Sequence, residues 1–259
     1  MRNKLSSAEI KNLDPYQFMA EIGKQFIHSG GMRSTKKVYA LANLQTNHHV
    51  LDVGCGVGTT AIEIVNKFGC RVTASDIDQN MIDKATANVQ RAGLSSKIKI
   101  VKADIQQIPF ANNEFDVVIV EAVTMFVNRK KAIQEIHRVC KSIGKVIEHE
   151  FIWRQKPTLE IRKIFEGKVC PNIKFDTAED WIKLFEENGF KNENSVTGNF
   201  VMMSVRGFLN DEGITGTFAL MAKTFSRIAY LKKMMWLMPR IMKVRSSLGY
   251  IVFSTIKTT

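Results

Sequence analysis

Val50-Leu-Asp-Val-Gly-Cys-Gly-Val-Gly-Thr-Thr60 leads from an apolar, β-type run through three alternating glycines into a helical pattern. Glycine suits positions 54, 56 and 58 because the backbone must turn sharply there with positive φ, and because any Cβ would obstruct a ligand lying across the turn. Amides that open the following helix attract a carboxylate or a phosphate. Gly56, Gly58 and Ala61 also satisfy the glycine spacing of dinucleotide sites. Asp52, just ahead of the turn, separates two ligand classes, because its charge repels a pyrophosphate and attracts an ammonium group. The alternative is a tight strand–helix connection with no ligand.

Outward from this turn, short β-type runs alternate with helical periodicity, the pattern of βαβ units and a parallel sheet. Strands are expected at 50–53, 71–75, 98–102, 116–120 and 145–151, with helices at 59–68, 79–92 and 130–141. Further on, Thr177 and Asp180 are spaced to open a helix over 178–188, and Gly189 stops it. A strand is expected around 193–202. A basic helical stretch over 217–245, interrupted by Pro239, precedes a closing strand at 250–256. Five parallel strands are thus followed by two late ones, the last a candidate antiparallel edge strand. Residues 1–46 read as a helical cap broken at Ser29-Gly30-Gly31, and 47–259 as the main domain with a basic helical insertion at about 213–246.

Residues 51–58 resemble the first motif of class I S-adenosylmethionine-dependent methyltransferases, whose cofactor carries the ammonium group that Asp52 would hold. Further segments agree in order. Thr73-Ala-Ser-Asp76-Ile77-Asp-Gln-Asn-Met81 resembles the end of that family's second strand, where an acidic residue binds both ribose hydroxyls. Asp78 falls inside the following turn and is the weaker ribose candidate. Lys102-Ala-Asp104-Ile105 resembles the loop where an acidic side chain and the next amide read the adenine edge, although Asp104 can also serve as a helix cap. Residues 114–120 resemble the fourth strand, and 139–146 the bend before the fifth, with Ser142-Ile143-Gly144 where Pro-Gly-Gly is common. The resemblance implies an α/β, Rossmann-like, doubly wound, mostly parallel seven-stranded sheet with an antiparallel last strand. It implies S-adenosyl-L-methionine held by Asp52, Gly54, Cys55, Gly56, Gly58, Asp76, Ile77, Met81, Asp104 and Ile105. Within the family, residues 144–151 and the chain length look most like the small-molecule enzymes related to ubiquinone and menaquinone biosynthesis methyltransferases.

Methyl transfer from a sulfonium is an in-line displacement, so the protein mainly positions the acceptor and, where needed, removes its proton. The reacting centre of an open α/β sheet lies beyond the carboxyl ends of its strands. Those ends carry the catalytic candidates Glu121, His149 and Glu150. Glu121 would orient an amine or hydroxyl, stabilise cationic charge, or hold the cofactor ammonium. His149 and Glu150 alternate across a strand, so only one of them faces the cleft. His28-Ser-Gly-Gly-Met-Arg33 forms a candidate hinge, with Arg33 or Tyr39 near the cofactor carboxylate. No metal site is expected.

The 259 residues include 37 Lys or Arg against 25 Asp or Glu, a net charge of +12, and 45% are hydrophobic, which excludes disorder and collagen. From Gly213 to Thr259 there are eight basic residues and no acidic one, so two thirds of the excess sits there. That stretch also holds Met221, Met234, Met235, Met238 and Met242 beside Phe225, Tyr230, Leu231 and Trp236. Such a mixture suits an adaptable apolar lid or a helix on an anionic membrane, and also ordinary packing with a basic outer face. The expected partner is a small, apolar acceptor, with peripheral membrane contact through 217–245 as a further use. A nucleic-acid methyltransferase is the runner-up. The chain shows no N-P-P-[YF]-like motif, and Cys170-Pro171 reverses the order of a catalytic Pro-Cys. A cofactor-binding membrane-surface or interaction module without catalysis is a third reading. Cys55, Cys70, Cys140 and Cys170 are scattered, which fits a reducing, cytoplasmic location. No secretory signal or membrane span is expected.

Overall fold

The computed structural model describes residues 5–170 and 173–258, so the first four residues of the expected cap and the final threonine lie outside the description. α1 (Ser7–Asn12), α2 (Pro15–Ile22) and α3 (Met32–Ala42) precede the sheet. Ser6 and Asp14 open the first two helices with reciprocal capping boxes to Glu9 and Gln17. The sheet is built around β1 (His49–Val53), whose five residues are all buried and which has a parallel neighbour on each side. That burial on both faces accounts for its nearly continuous apolar reading.

α4 (Thr59–Phe68) begins on Gly58, in the left-handed region at φ 83°. The alternation continues through β2 (Arg71–Asp76), α5 (Gln79–Arg91), β3 (Ile98–Lys102), β4 (Phe115–Glu121), α6 (Arg129–Val139) and β5 (Cys140–Trp153). α7 (Leu159–Ile164), α8 (Ala178–Glu186) and β6 (Phe190–Asn199) follow. α9 (Val205–Phe225) and α10 (Ile228–Val244) then lead into β7 (Leu248–Lys257). The strand order is β3-β2-β1-β4-β5-β7-β6, with only β7 antiparallel to its neighbours. This is the expected seven-stranded, doubly wound sheet. Chain order reverses between β1 and β4, which opens a crevice beyond their carboxyl ends.

Three expectations are corrected. The last strand is not an edge: β7 lies between β5 and β6, and its first eight residues are buried, while β6 alternates outward and forms the border. The basic helical stretch breaks at Ser226 and Arg227 rather than at Pro239, which sits within α10. A proline in a helix forfeits one backbone bond, and here burial of Tyr230, Leu237, Ile241 and Val244 along one side of α10 sustains the helix through it. The helical insertion also starts earlier than 213, because Ser204 caps α9 and Gly213 only kinks it, at φ 68°. In the bend, which falls within the first residues of β5 rather than before it, exposed Ile143 takes the positive φ (57°) that glycine supplies in the commoner sequence.

The N-terminal helices share the main core. Ile10, Phe18, Met19 and Ile22 are buried in one cluster with Leu220, Tyr230 and Leu237 from α9 and α10. Each such side chain contributes roughly 1.5–3 kcal/mol relative to exposure. A buried ion pair of 2.6 Å, Lys24 to Asp211, joins the segment after α2 to α9, and Asp211 also accepts the amide of Met32. The residues that lead into α3 are thereby held over the crevice.

Candidate active site

A cavity of about 400 Å³ occupies this crevice. Its floor comes from the β1–α4 turn and the ends of β2 and β4, with residues 103–105 on one side. Its roof comes from α2 and residues 25–28 of the N-terminal segment, and from 122–127 after β4. Asp52, Asp76, Asp104 and Glu121 line it, and no Lys or Arg among the described residues does. Four carboxylates without a compensating cation make a site for a positively charged ligand.

The turn is shaped as the glycine spacing implies. Gly54 at φ 71° would drive a Cβ into Val123, whereas a Cβ on Gly56 (φ 53°) would meet nothing within 4 Å. Gly56 therefore borders open space that a ligand can fill. Its amide donates to Asp76 Oδ2 (2.9 Å), and Asp78 donates its amide to Asp76 Oδ1 (2.9 Å), which orients the carboxylate at the cavity edge. Asp52 is 2% exposed and its Oδ2 has no hydrogen-bond partner. Burial pushes its carboxyl well above the usual range, and the charges of Glu121 and Asp76 add to the rise. An ammonium group would satisfy that oxygen and reverse the shift. These features fit S-adenosylmethionine, whose ammonium and sulfonium are the cations the cavity lacks.

Glu121 sits at the centre of a buried network. Thr60 Oγ1 donates to its Oε1 (2.8 Å), and Thr35 Oγ1 to its Oε2 (3.0 Å). His149 Nδ1 stands 3.3 Å from Oε2 and His28 Nε2 3.6 Å. Burial alone would raise this carboxyl, but the facing imidazoles of His28 and His149 and the Thr60 hydroxyl bring it down to about 2. Burial pulls His28 down to about 3, so its ring is neutral near pH 7. A neutral ring donates only once. Donation from Nε2 to Thr35 (3.0 Å) leaves the threonine hydroxyl to donate to Glu121, while Ser34, 3.2 Å from Nδ1, gives its own hydrogen to the carbonyl of Gly31 (2.8 Å). The charge-assisted bond to the ionised carboxylate selects that tautomer. Potential ligand atoms of His28, Glu121 and His149 lie within 4.8 Å of one another.

Asp52, Gly54, Cys55, Gly56, Asp76, Ile77, Met81, Asp104, Ile105 and Glu121 all line the cavity. Gly58 lies behind it, where a Cβ would stand 3.3 Å from Ala85. His149 and Glu150 are fully buried and outside the lining, with His149 reaching the site through Glu121 and through the edge of the His28 ring, centroids 4.6 Å apart. Glu150 faces the opposite side of β5, where it accepts the amide of Met125 (3.3 Å) and pairs with buried Glu148. Burial raises both carboxyls, Glu150 to about 7, so the pair retains a proton at lower pH. Arg33 and Tyr39 are also absent from the lining, and Tyr39 donates to Glu63 (2.8 Å). Asp78 caps α5 through the amide of Asn80. Sequence reasoning missed His28, Thr35 and Thr60 as site residues. Only Thr60 carried a local signal, as a hydroxyl in the first turn after the glycines.

A doubly wound sheet with an antiparallel seventh strand and an acid-lined crevice at its switch point defines a methyltransferase fold. A family model described as "Methyltransferase domain" matches residues 51–147. An uncharacterized protein of Haemophilus influenzae is 33% identical over 196 residues, 73% of this chain and 76% of that one. Sterol 4-C-methyltransferase strm-1 of Caenorhabditis elegans is 36% identical over 110 residues, 42% of this chain and 33% of its own length. Among solved structures, phosphoethanolamine N-methyltransferase 2 of Haemonchus contortus in complex with S-adenosyl-L-methionine superposes with a TM-score of 0.74 at 20% identity, covering 100% of this chain and 59% of that one. The chain belongs to the class I S-adenosylmethionine-dependent methyltransferases.

Proposed function

We propose that the chain methylates a small acceptor with an apolar body. The observation that carries this reading is the composition of the cavity, four carboxylates on its floor and side beneath a roof of Tyr16, Ala20, Phe26, Ile27, Val123 and Phe126. Asp52 would hold the cofactor ammonium, Asp76 the ribose hydroxyls, and Asp104 with the amide of Ile105 the adenine edge. Bound there, S-adenosylmethionine supplies an activated methyl group. The chain's own residues exclude water and orient the acceptor. Tyr16, Gln17, Gln25 and His28 are the polar groups of the roof, of which Gln25 and the unpartnered hydroxyl of Tyr16 would fix a polar end of the acceptor.

Glu121 with its carboxyl near 2 and His28 near 3 are too weakly basic to abstract a proton near neutrality. The role of Glu121 in this reading is electrostatic, a fixed negative charge, oriented through Thr35 by His28, that steadies cationic character beside the acceptor. A cavity without Lys or Arg disfavours the nucleic-acid alternative, because phosphates would approach unpaired carboxylates. The likeness to a sterol methyltransferase supports an apolar acceptor, and both named relatives act on small molecules. The test is transfer of label from methyl-labelled S-adenosylmethionine into a cell extract, followed by partition. Label in the organic phase is expected. Label confined to RNA or DNA would overturn the reading.

A further inference from the structure

We infer that α9 and α10 form a docking surface for an anionic lipid bilayer. Amphipathic helices of a globular protein turn their apolar side inward, and both helices do so with Leu220, Tyr230, Leu237 and Ile241. Each carries a second apolar stripe on its outer side. On α9, Ile214, Phe218, Met221 and Phe225 are spaced i, i+4, i+7 and i+11, and are 68%, 67%, 50% and 66% exposed. At about 100° per residue they share an arc of roughly 60°. On α10, Ile228, Met235 and Met242 are spaced by seven, and exposed Pro239 falls among them. The stripes meet at the α9–α10 junction, where Phe225 and Ile228 are three residues apart.

The surroundings of the stripes specify the occupant. Exposed Lys232 flanks the α10 stripe, as does Lys243, which pairs with Glu160 (2.6 Å); Trp236 borders it with Arg240 stacked 4.3 Å from its ring centroid, and exposed Arg245 follows. Exposed Lys223 stands beside the junction, whereas Arg227 turns inward to the carbonyl of Leu5 (2.7 Å). No Asp or Glu occurs from Gly213 onward. A second copy of the chain would bring like charge against like, which disfavours self-association, whereas anionic headgroups complement the cations while acyl chains receive Phe218, Phe225 and Met235. No helix among the described residues is long and apolar enough to cross a membrane, so the contact is in the plane of the interface. Through Asp211, α9 also holds the segment that roofs the cavity, which couples the lipid surface to that roof.

The experiment is flotation of the purified chain, without cofactor, on vesicles of phosphatidylcholine alone and on vesicles with about 30% phosphatidylglycerol. Binding to the anionic vesicles, a blue shift of tryptophan fluorescence, and release by high salt are expected. Phe218→Ser with Phe225→Ser should weaken binding at least tenfold, because each buried aromatic is worth about that factor or more. Lys232→Glu with Arg245→Glu should do the same. Melting temperature and calorimetric affinity for S-adenosylmethionine should stay at wild-type values in both double variants, which keeps failure here separate from failure of the proposed activity. Equal binding to neutral vesicles, undiminished binding by the double variants, or a concentration-dependent dimer abolished by the phenylalanine changes would overturn the inference.

Discussion

His28→Gln tests the buried network through its proton balance. The wild-type ring is held neutral in the fold, lowered from 6.5 to about 3, while the unfolded chain takes up a proton as soon as pH falls below 6.5. Between those values the unfolded state binds more protons, so this group's contribution to stability is lost as pH falls. One proton of difference corresponds to about 1.4 kcal/mol per pH unit. From pH 6.5 to 4.5, the midpoint of unfolded Glu121, the loss is about 2.3 kcal/mol, because the unfolded ring is only half protonated at the upper end. Unfolding entropy near 2.1 cal/mol/K per residue makes this about 4 °C in Tm for 259 residues. Raised carboxyls such as Glu150 tilt the total stability the other way, so the informative quantity is the gap between wild type and variant, in which they cancel. At pH 6.5 the variant should be the less stable, having lost the bond from the ring to Thr35. The gap should close by about 2.3 kcal/mol at pH 4.5 in denaturant titrations. Parallel stability curves across that range would refute the neutral, buried state of His28 and with it the direction of the chain to Glu121.

Glu150→Gln removes one member of the buried acid pair. The pair's carboxyls are raised in the fold, so their linkage loss grows as pH rises from 4.5 through about 7, and the variant should gain stability relative to wild type over that interval in thermal melts. Gly56→Ala places a methyl group in the open side of the turn and strains the backbone at φ 53° by about 1–2 kcal/mol, so cofactor affinity should fall while the fold persists, as read by calorimetry and circular dichroism. Asp76→Ala should weaken nucleoside binding in the same titration, and an unchanged affinity would remove it from the ribose site.

The fold and the cofactor half of the site were legible because their information is local. The glycines, Asp52 and Asp76 fall at spacings set by one strand, one turn and one helix, and all but Gly58 line the cavity. The other half depends on residues far apart in sequence. His28, Thr35 and Glu121 meet only after α3 packs beneath the sheet, and no periodicity reports that. Alternation allowed either His149 or Glu150 to face the crevice. The choice needed the β4–β5 register, in which Glu121 pairs with His149 and so shares its face. Pro239 misled because its local cost was outweighed by burial along the whole of α10.

The central claim is that the β1–α4 turn grips a cationic nucleoside tail through Asp52. Titration of the purified chain with S-adenosylmethionine in two buffers of different ionisation enthalpy tests it directly. Wild type should bind and release a proton near neutral pH, because an ammonium beside Asp52 lowers a carboxyl that burial had raised. Asp52→Asn should bind more weakly and release none. Tight binding of NAD by a protein that ignores S-adenosylmethionine would contradict the account.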